Sequence, residues 1–278
     1  MAQTADSRRD LVLSAVGLSK TYGAGKDAQV AVSDVSFDVR QGEFVSIVGP
    51  SGCGKTTLIK MIAGLLKPTS GRVELFGARV DSVPDHLSVV FQDYSRSLFP
   101  WLRVAANVSF PLEHMPIARA EREQRVSAAL AAVGLGGVQR KYPWELSGGM
   151  QQRVAIARAI AYRPRLLLMD EPFASVDAQT RAELEDLTLK VHRDHGMTTL
   201  FITHDIDESV YLADRVIVLR RTPGRLMAEL PVVLPSPRDQ IATREVDDFV
   251  RLRGEIARLV RAAALGEDER DRTMVDPA

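Results

Sequence analysis

The sequence predicts an α/β protein built on a parallel sheet, with a β subdomain at its N-terminus and a helical segment inserted in the middle. In the second half, short continuous apolar runs alternate with helical periodicities, as expected of strands covered on both faces. Toward the N-terminus the runs are Val-rich and separated by Gly and Asp, and Val35, Phe37 and Val39 alternate with Ser36 and Asp38. Between these regions, residues 103–139 are rich in Arg, Glu and Ala with Val126, Leu130 and Val133 at helical spacing, ahead of a glycine stop at Gly134.

Taken in order, strands are expected over 11–16, 31–39, 43–48 and 72–76, forming the N-terminal sheet. A helix is expected over 56–66, because Leu58, Ile59, Ile62, Leu65 and Leu66 fall on one face directly after a glycine-rich turn. Beyond the insert come a helix over 154–161, a buried strand over 166–169, a helix over 181–195, and strands over 200–203 and 215–219. Pro231, Pro235 and Pro237 close that core. A docked amphipathic helix is then expected over 245–264, with Val246, Phe249, Val250, Ile256, Leu259, Val260 and Ala263 on its apolar face. The first residues read as a frayed tail and 266–278 as disordered.

Composition narrows the function. Thirty-six basic and 36 acidic side chains cancel, so no overall field draws the chain to nucleic acid or an anionic membrane. No run reaches the 18 or so apolar residues that span a bilayer, and the first ten residues lack the apolar core of a secretory signal. A single cysteine, Cys53, cannot close an intramolecular disulfide and favours a cytosolic setting.

Gly49-Pro50-Ser51-Gly52-Cys53-Gly54-Lys55-Thr56, followed by Thr57, fits G-x-x-x-x-G-K-[ST] between a strand and a helix. The glycines let backbone N–H groups turn onto phosphate oxygens, Lys55 supplies charge to the β and γ phosphates, and the Thr56 hydroxyl can reach Mg²⁺. Cys53 occupies a variable position of the loop and is read as incidental. Asp170 and Glu171 end the apolar run Leu166-Leu167-Leu168-Met169, where open parallel sheets bind ligands. Asp170 is suited to orient Mg²⁺ and Glu171 to take a proton from the attacking water. Ser147, Gly148 and Gly149 open the helix that begins near Gln151 and offer bare N–H groups, a second anion site.

With the octapeptide from Leu146 to Arg153 in place, the chain resembles the ATP-binding cassette (ABC) family over about residues 11–235. The resemblance implies a P-loop NTPase (RecA-like) core with a parallel sheet, an N-terminal antiparallel β subdomain and a helical signature subdomain at about 94–159. Residues 236–265 would be a helical extension. It implies a homodimer, with ATP at Lys55 of one subunit closed over by Ser147 to Gly149 of the other. It assigns Tyr22 to stacking on adenine, Gln92 to the Mg²⁺ and water contact, Asp177 to the loop crossing the dimer interface and His204 to the γ-phosphate. Val176 stands where the family more often has Leu.

Softer likenesses, in residues 95–108, 174–181, 207–215 and 223–225, point to the nitrate, sulfonate and taurine importers. They imply two membrane-embedded permease subunits, an extracytoplasmic solute-binding protein and a place on the cytoplasmic face of the cell membrane. Phe99, Pro100 and Trp101 are then candidates for permease contact rather than core. The alternatives are a subunit of a multi-chain exporter, or a non-transport cassette ATPase acting on nucleic acid or ribosomes. The short insert and single cassette weigh against the non-transport reading.

Overall fold

A computed structural model describes residues 10–92, 97–221 and 223–265. The expected N-terminal and C-terminal tails, the start of the helical subdomain at 94, and Ser95 and Arg96 of the importer-like segment lie outside the described residues. In chain order the elements are β1 (Leu11–Tyr22), β2 (Gln29–Arg40), β3 (Phe44–Val48), α1 (Lys55–Ile62), β4 (Ser70–Leu75), β5 (Ala78–Arg79) and β6 (Leu87–Val90). There follow α2 (Val104–Ser109), α3 (Arg119–Ala132), α4 (Gly148–Ala161), β7 (Leu166–Asp170), α5 (Ala178–His195) and β8 (Thr198–Ile202). The chain ends with α6 (Ile206–Leu212), β9 (Arg215–Arg220), β10 (Arg225–Pro231), α7 (Ala242–Glu245) and α8 (Asp247–Leu265). They gather in two compact units, one formed by the chain up to Pro84 and again from Leu200, the other by Asp85–Thr199.

The first unit carries an antiparallel sheet in the order β2-β1-β4-β5. β1 runs six residues past the expected end at 16, because a register shift between Ala15 and Leu18, around Gly17 at φ 59°, breaks the period of two that marks a strand in sequence. The same unit holds β10, β9, β3 and β8 side by side. β3 pairs in parallel with β9, so it belongs to this sheet and not to the N-terminal one expected from sequence, its continuous apolar run being that of a strand covered on both faces. β9 and β10, by contrast, form an antiparallel hairpin. That hairpin departs from the purely parallel sheet expected: an edge strand has one face to cover, and β10 is correspondingly half-buried. Every residue of β3 is buried, and Phe44 meets Phe201 with ring centroids 5.9 Å apart. α1 stops at Ile62, four residues short of the sequence expectation, since Gly64 turns left-handed at φ 70°.

α8 packs on α6 and β9. Its buried seam is Phe249, Leu252, Ile256, Ala262 and Ala263, while Val250 is 45% exposed. Val250 therefore does not belong to the apolar face assigned from sequence, and Leu252 does: successive steps of three and four residues keep one side of a helix facing inward.

In the second unit β6 and β7 pair in parallel, from Leu87 opposite Leu166 to Val90 opposite Met169. α2, α3 and α4 pack on one another. The fully buried Asn107 fastens the turn before α2: its amide accepts from Phe99 N–H at 2.8 Å and donates to the carbonyls of Phe99 and Leu102 at 3.0 Å. Arg158 donates to the Ser97 carbonyl at 2.6 Å and hydroxyl at 3.0 Å, and burial lowers its pKa. Among the described residues no helix is long and apolar enough to cross a membrane.

Candidate functional site

The phosphate-binding loop lies in the first unit, where β3 ends. Gly49 leaves the strand so close to β9 that a Cβ there would sit 2.5 Å from the Leu219 carbonyl oxygen and 2.9 Å from Cys53 Sγ. Gly54, at φ 89°, presses on β2, with a Cβ position 2.7 Å from Val32 Cγ2 and 2.9 Å from the Ala31 carbonyl. The loop is thus closed from Pro50, whose carbonyl accepts from Cys53 N–H, and opens directly into α1. Lys55, 7% exposed, turns its ammonium back over the loop and donates to the Gly49 carbonyl at 2.8 Å. That holds a positive charge where backbone N–H groups and the positive end of α1 already favour phosphate.

Thr56 is exposed on the first turn of α1, and Thr57 stands 3.4 Å from the Tyr22 hydroxyl. Tyr22 closes β1, is 43% exposed, and has the Lys20 ammonium 5.5 Å above its ring. His204, also in this unit, is exposed just after β8. Cys53 is buried, in keeping with an inert structural thiol.

A supporting residue that sequence reasoning missed is Gly224. Its N–H donates to the Ala31 carbonyl at 3.0 Å and its own carbonyl accepts from Ser33 N–H at 2.8 Å. A Cβ would lie 2.1 Å from the Cys53 carbonyl and 2.9 Å from that of Ala31. The hairpin of β9 and β10 therefore buttresses the phosphate loop by backbone alone. The available signal was a glycine between two apolar runs, Val216-Ile217-Val218-Leu219 and the segment from Leu226.

The acidic and signature residues lie in the second unit. All of β7 is buried, and Asp170 at its end is 6% exposed. Glu171 follows with φ 46°, a left-handed conformation that non-glycine residues avoid. Its carbonyl accepts from Ala174 N–H at 3.2 Å, so the strain sits inside a tight turn. Asp177 caps α5, which begins at Ala178 rather than at 181. Its carboxylate accepts from the Thr180 N–H at 3.0 Å and hydroxyl at 2.7 Å, and these bonds lower its pKa.

Ser147 caps α4, accepting from Met150 N–H at 3.4 Å, so that Gly148 and Gly149 form the first turn. The helix opens three residues earlier than Gln151, where the sequence placed it. A Cβ on Gly149 would lie 2.4 Å from Thr180 Cγ2, so a larger residue there would force the Thr180 side chain to shift at the start of α5. Gln92 is exposed beyond the end of β6. Among the described residues no three His, Cys, Asp or Glu side chains cluster to hold a metal.

A chain with these two sets of residues on this fold is a nucleotide-hydrolysing P-loop protein. Residues 32–174 match the family model described as "ABC transporter", and the chain belongs to that family. It is 42% identical over 258 residues to an uncharacterized ABC transporter ATP-binding protein, MJ0412, of Methanocaldococcus jannaschii, covering 93% of this chain and 94% of the relative. It is 45% identical to the aliphatic sulfonates import ATP-binding protein SsuB 1 of Xanthomonas axonopodis pv. citri, covering 83% and 91%. It is 41% identical to the nitrate import ATP-binding protein NrtC of Synechococcus elongatus over 84% of this chain, which spans only 35% of that relative.

Among solved structures it resembles the dimeric post-hydrolysis state of the ATP-binding cassette MJ0796 bound to ADP and Pi, with TM-score 0.70, 32% identity and 80% and 99% coverage. It also resembles CbiO1 from Clostridium perfringens, part of the ABC transporter complex cbiONQ, with TM-score 0.74, 29% identity and 92% and 99% coverage. The protein is an ABC ATPase.

Proposed function

We propose that this chain is the ATP-hydrolysing subunit of a bacterial importer for a small solute, namely nitrate, a sulfonate, taurine or a related compound. The observation that carries the reading is the 45% identity to an aliphatic sulfonates import protein across 91% of that protein's length. It works as a homodimer bound to two permease subunits, peripheral on the cytoplasmic face of the membrane, with a solute-binding protein outside. Trp101, 71% exposed beside Phe99, supports a permease contact for that segment.

In this reading Gly49 to Gly54 wrap the phosphates, Lys55 neutralises charge on the β and γ phosphates, Thr57 adds a hydroxyl, and Tyr22 stacks on the adenine. Glu171 accepts the proton of the attacking water, and His204 donates to the γ-phosphate. Ser147, Gly148 and Gly149 of the partner subunit close over the nucleotide, and Asp177 stands at the dimer interface. Thr56, Gln92 and Asp170 present hydroxyl, amide and carboxylate oxygens, the donor set that suits Mg²⁺. When bound, Mg²⁺ would offset charge on the phosphate oxygens, most of its ligands coming from phosphate and water.

The test is a pull-down from native membranes with tagged protein carrying Glu171→Gln. Recovery of an integral permease is expected, and the solute carried by the associated binding protein names the substrate. Recovery of ribosomal or DNA-associated proteins with no membrane protein would overturn the importer reading and leave the ATPase intact.

A further inference from the structure

His204 stands at a junction whose two sides are fixed by different stretches of the first unit. On one side Thr203, 2% exposed, donates its backbone N–H to the Ile47 carbonyl of β3 at 3.2 Å and its hydroxyl to the Glu208 carboxylate at 2.6 Å. That hydroxyl also accepts from Asp205 N–H at 2.9 Å, and the Asp205 carboxylate in turn accepts from Glu208 N–H at 3.2 Å as the cap of α6. Glu208 is 4% exposed, so this is a closed, buried network in which a lost partner leaves a desolvated polar group. His204, an exposed residue, lies between its members and directly before the cap of α6.

The other end of α6 is not held by its own sequence. The last carbonyls of a helix have no partner within it and need one from elsewhere. Arg238, from the segment after β10, supplies it: one guanidinium nitrogen donates to the Val210 carbonyl at 3.3 Å and to that of Tyr211, and the other to the Ala213 carbonyl at 2.8 Å. The planar fork matches several carbonyls at once, and its charge complements the negative helix end. The same extension touches α6 twice more, with Arg244 5.2 Å over the Tyr211 ring and Arg253 3.6 Å from the Asp207 carboxylate. α6 has no Gly or Pro to bend at, and it is only about 10 Å long at about 1.5 Å per residue. A tilt at the Arg238 end therefore reaches His204.

We propose that Arg238 is a positioning residue for His204: by pinning the C-terminal carbonyls of α6, it sets where the imidazole stands. The extension thereby acts on turnover without touching nucleotide. This rests on the reading of His204 as the γ-phosphate contact.

The test is a double-mutant cycle in steady-state ATPase turnover of the full-length chain. Arg238→Ala is expected to lower kcat by about three- to tenfold with KM for ATP changed less than about twofold. Arg238→Lys should restore part of the loss, because a single ammonium can reach one of the carbonyls. In a His204→Ala background Arg238→Ala should cost nothing more. Unchanged kcat in Arg238→Ala, or the same loss in both backgrounds, overturns the proposal. Unchanged kcat in His204→Ala overturns the reading of His204 instead.

Should Arg238→Ala not fold, or the His204→Ala background turn over too slowly to measure, histidine ring NMR on Arg238→Lys decides. A shift at His204 with His86 and His114 unmoved is expected. No shift at His204, or shifts at all three, would sink the idea.

Discussion

Glu171 and Gly224 illustrate two ways in which single residues set up a site. Glu171 directly follows a buried strand in a left-handed conformation at φ 46°, a cost that the surrounding turn has to sustain. Glu171→Gln keeps the shape and removes the proposed base, so on that reading kcat for ATP hydrolysis should fall by about 10² to 10⁴ while nucleotide binding persists. Single-turnover kinetics alongside a nucleotide titration would separate the two, and an unchanged rate would remove Glu171 from the role of base. Gly224 contributes only its lack of a side chain. Gly224→Ala places a methyl group 2.1 Å from the Cys53 carbonyl. The strand pair or the phosphate loop must shift, at a cost of about 1–3 kcal/mol. Lower thermal stability together with weaker ATP binding is expected; full affinity would show that the loop does not lean on this hairpin.

Elements are fixed by their caps and by their buried faces. Asp177 caps α5 through the Thr180 N–H first and the Thr180 hydroxyl second, and both lower its pKa. With a folded pKa below the ordinary value of about 3.9, its contribution to stability is complete above that value and is lost as pH falls through the folded pKa. Thr180→Val removes the hydroxyl and leaves the backbone donor, so the Asp177 pKa should move part-way back up. Carboxyl-carbon NMR titration reads it, and an unmoved value would mean that the hydroxyl plays no part. In α8 the seam predicts a contrast. Ile256, fully buried, should cost about 2–5 kcal/mol on replacement by alanine, whereas Val250, 45% exposed, should cost within about 0.5 kcal/mol. Equal losses in chemical denaturation would overturn the assignment of that seam.

At the scale of the whole molecule, 36 positive and 36 negative side chains leave no net field. Double-stranded DNA should therefore show no binding in fluorescence anisotropy at physiological salt. Salt-dependent micromolar binding would revive a nucleic-acid role.

Legibility in the sequence followed the range of the interaction. The placement of the glycine-rich loop, of Asp170 with Glu171 and of the Ser147 turn at strand and helix ends could be read directly, because contiguous residues mark such junctions. Buried strands such as β3 and β7 were equally plain, since desolvation on both faces demands continuous apolar runs. β1 was half read, as a bulge at Gly17 interrupts its period. α6 and β10 were not assigned as elements at all: seven residues are too few to show a helical period, and an edge strand covers one face only. The seam of α8 was misjudged at Val250, because an apolar residue's side of the helix is settled by what packs there. Thus the sequence alone determined the class of this protein, an ABC ATPase, through short motifs and backbone rules. Only the tertiary structure decided what supports it: Gly224 lies 171 residues from Cys53 (224 − 53) and Arg238 lies 34 from His204 (238 − 204), and steric approach and carbonyl capping across such separations leave no local pattern.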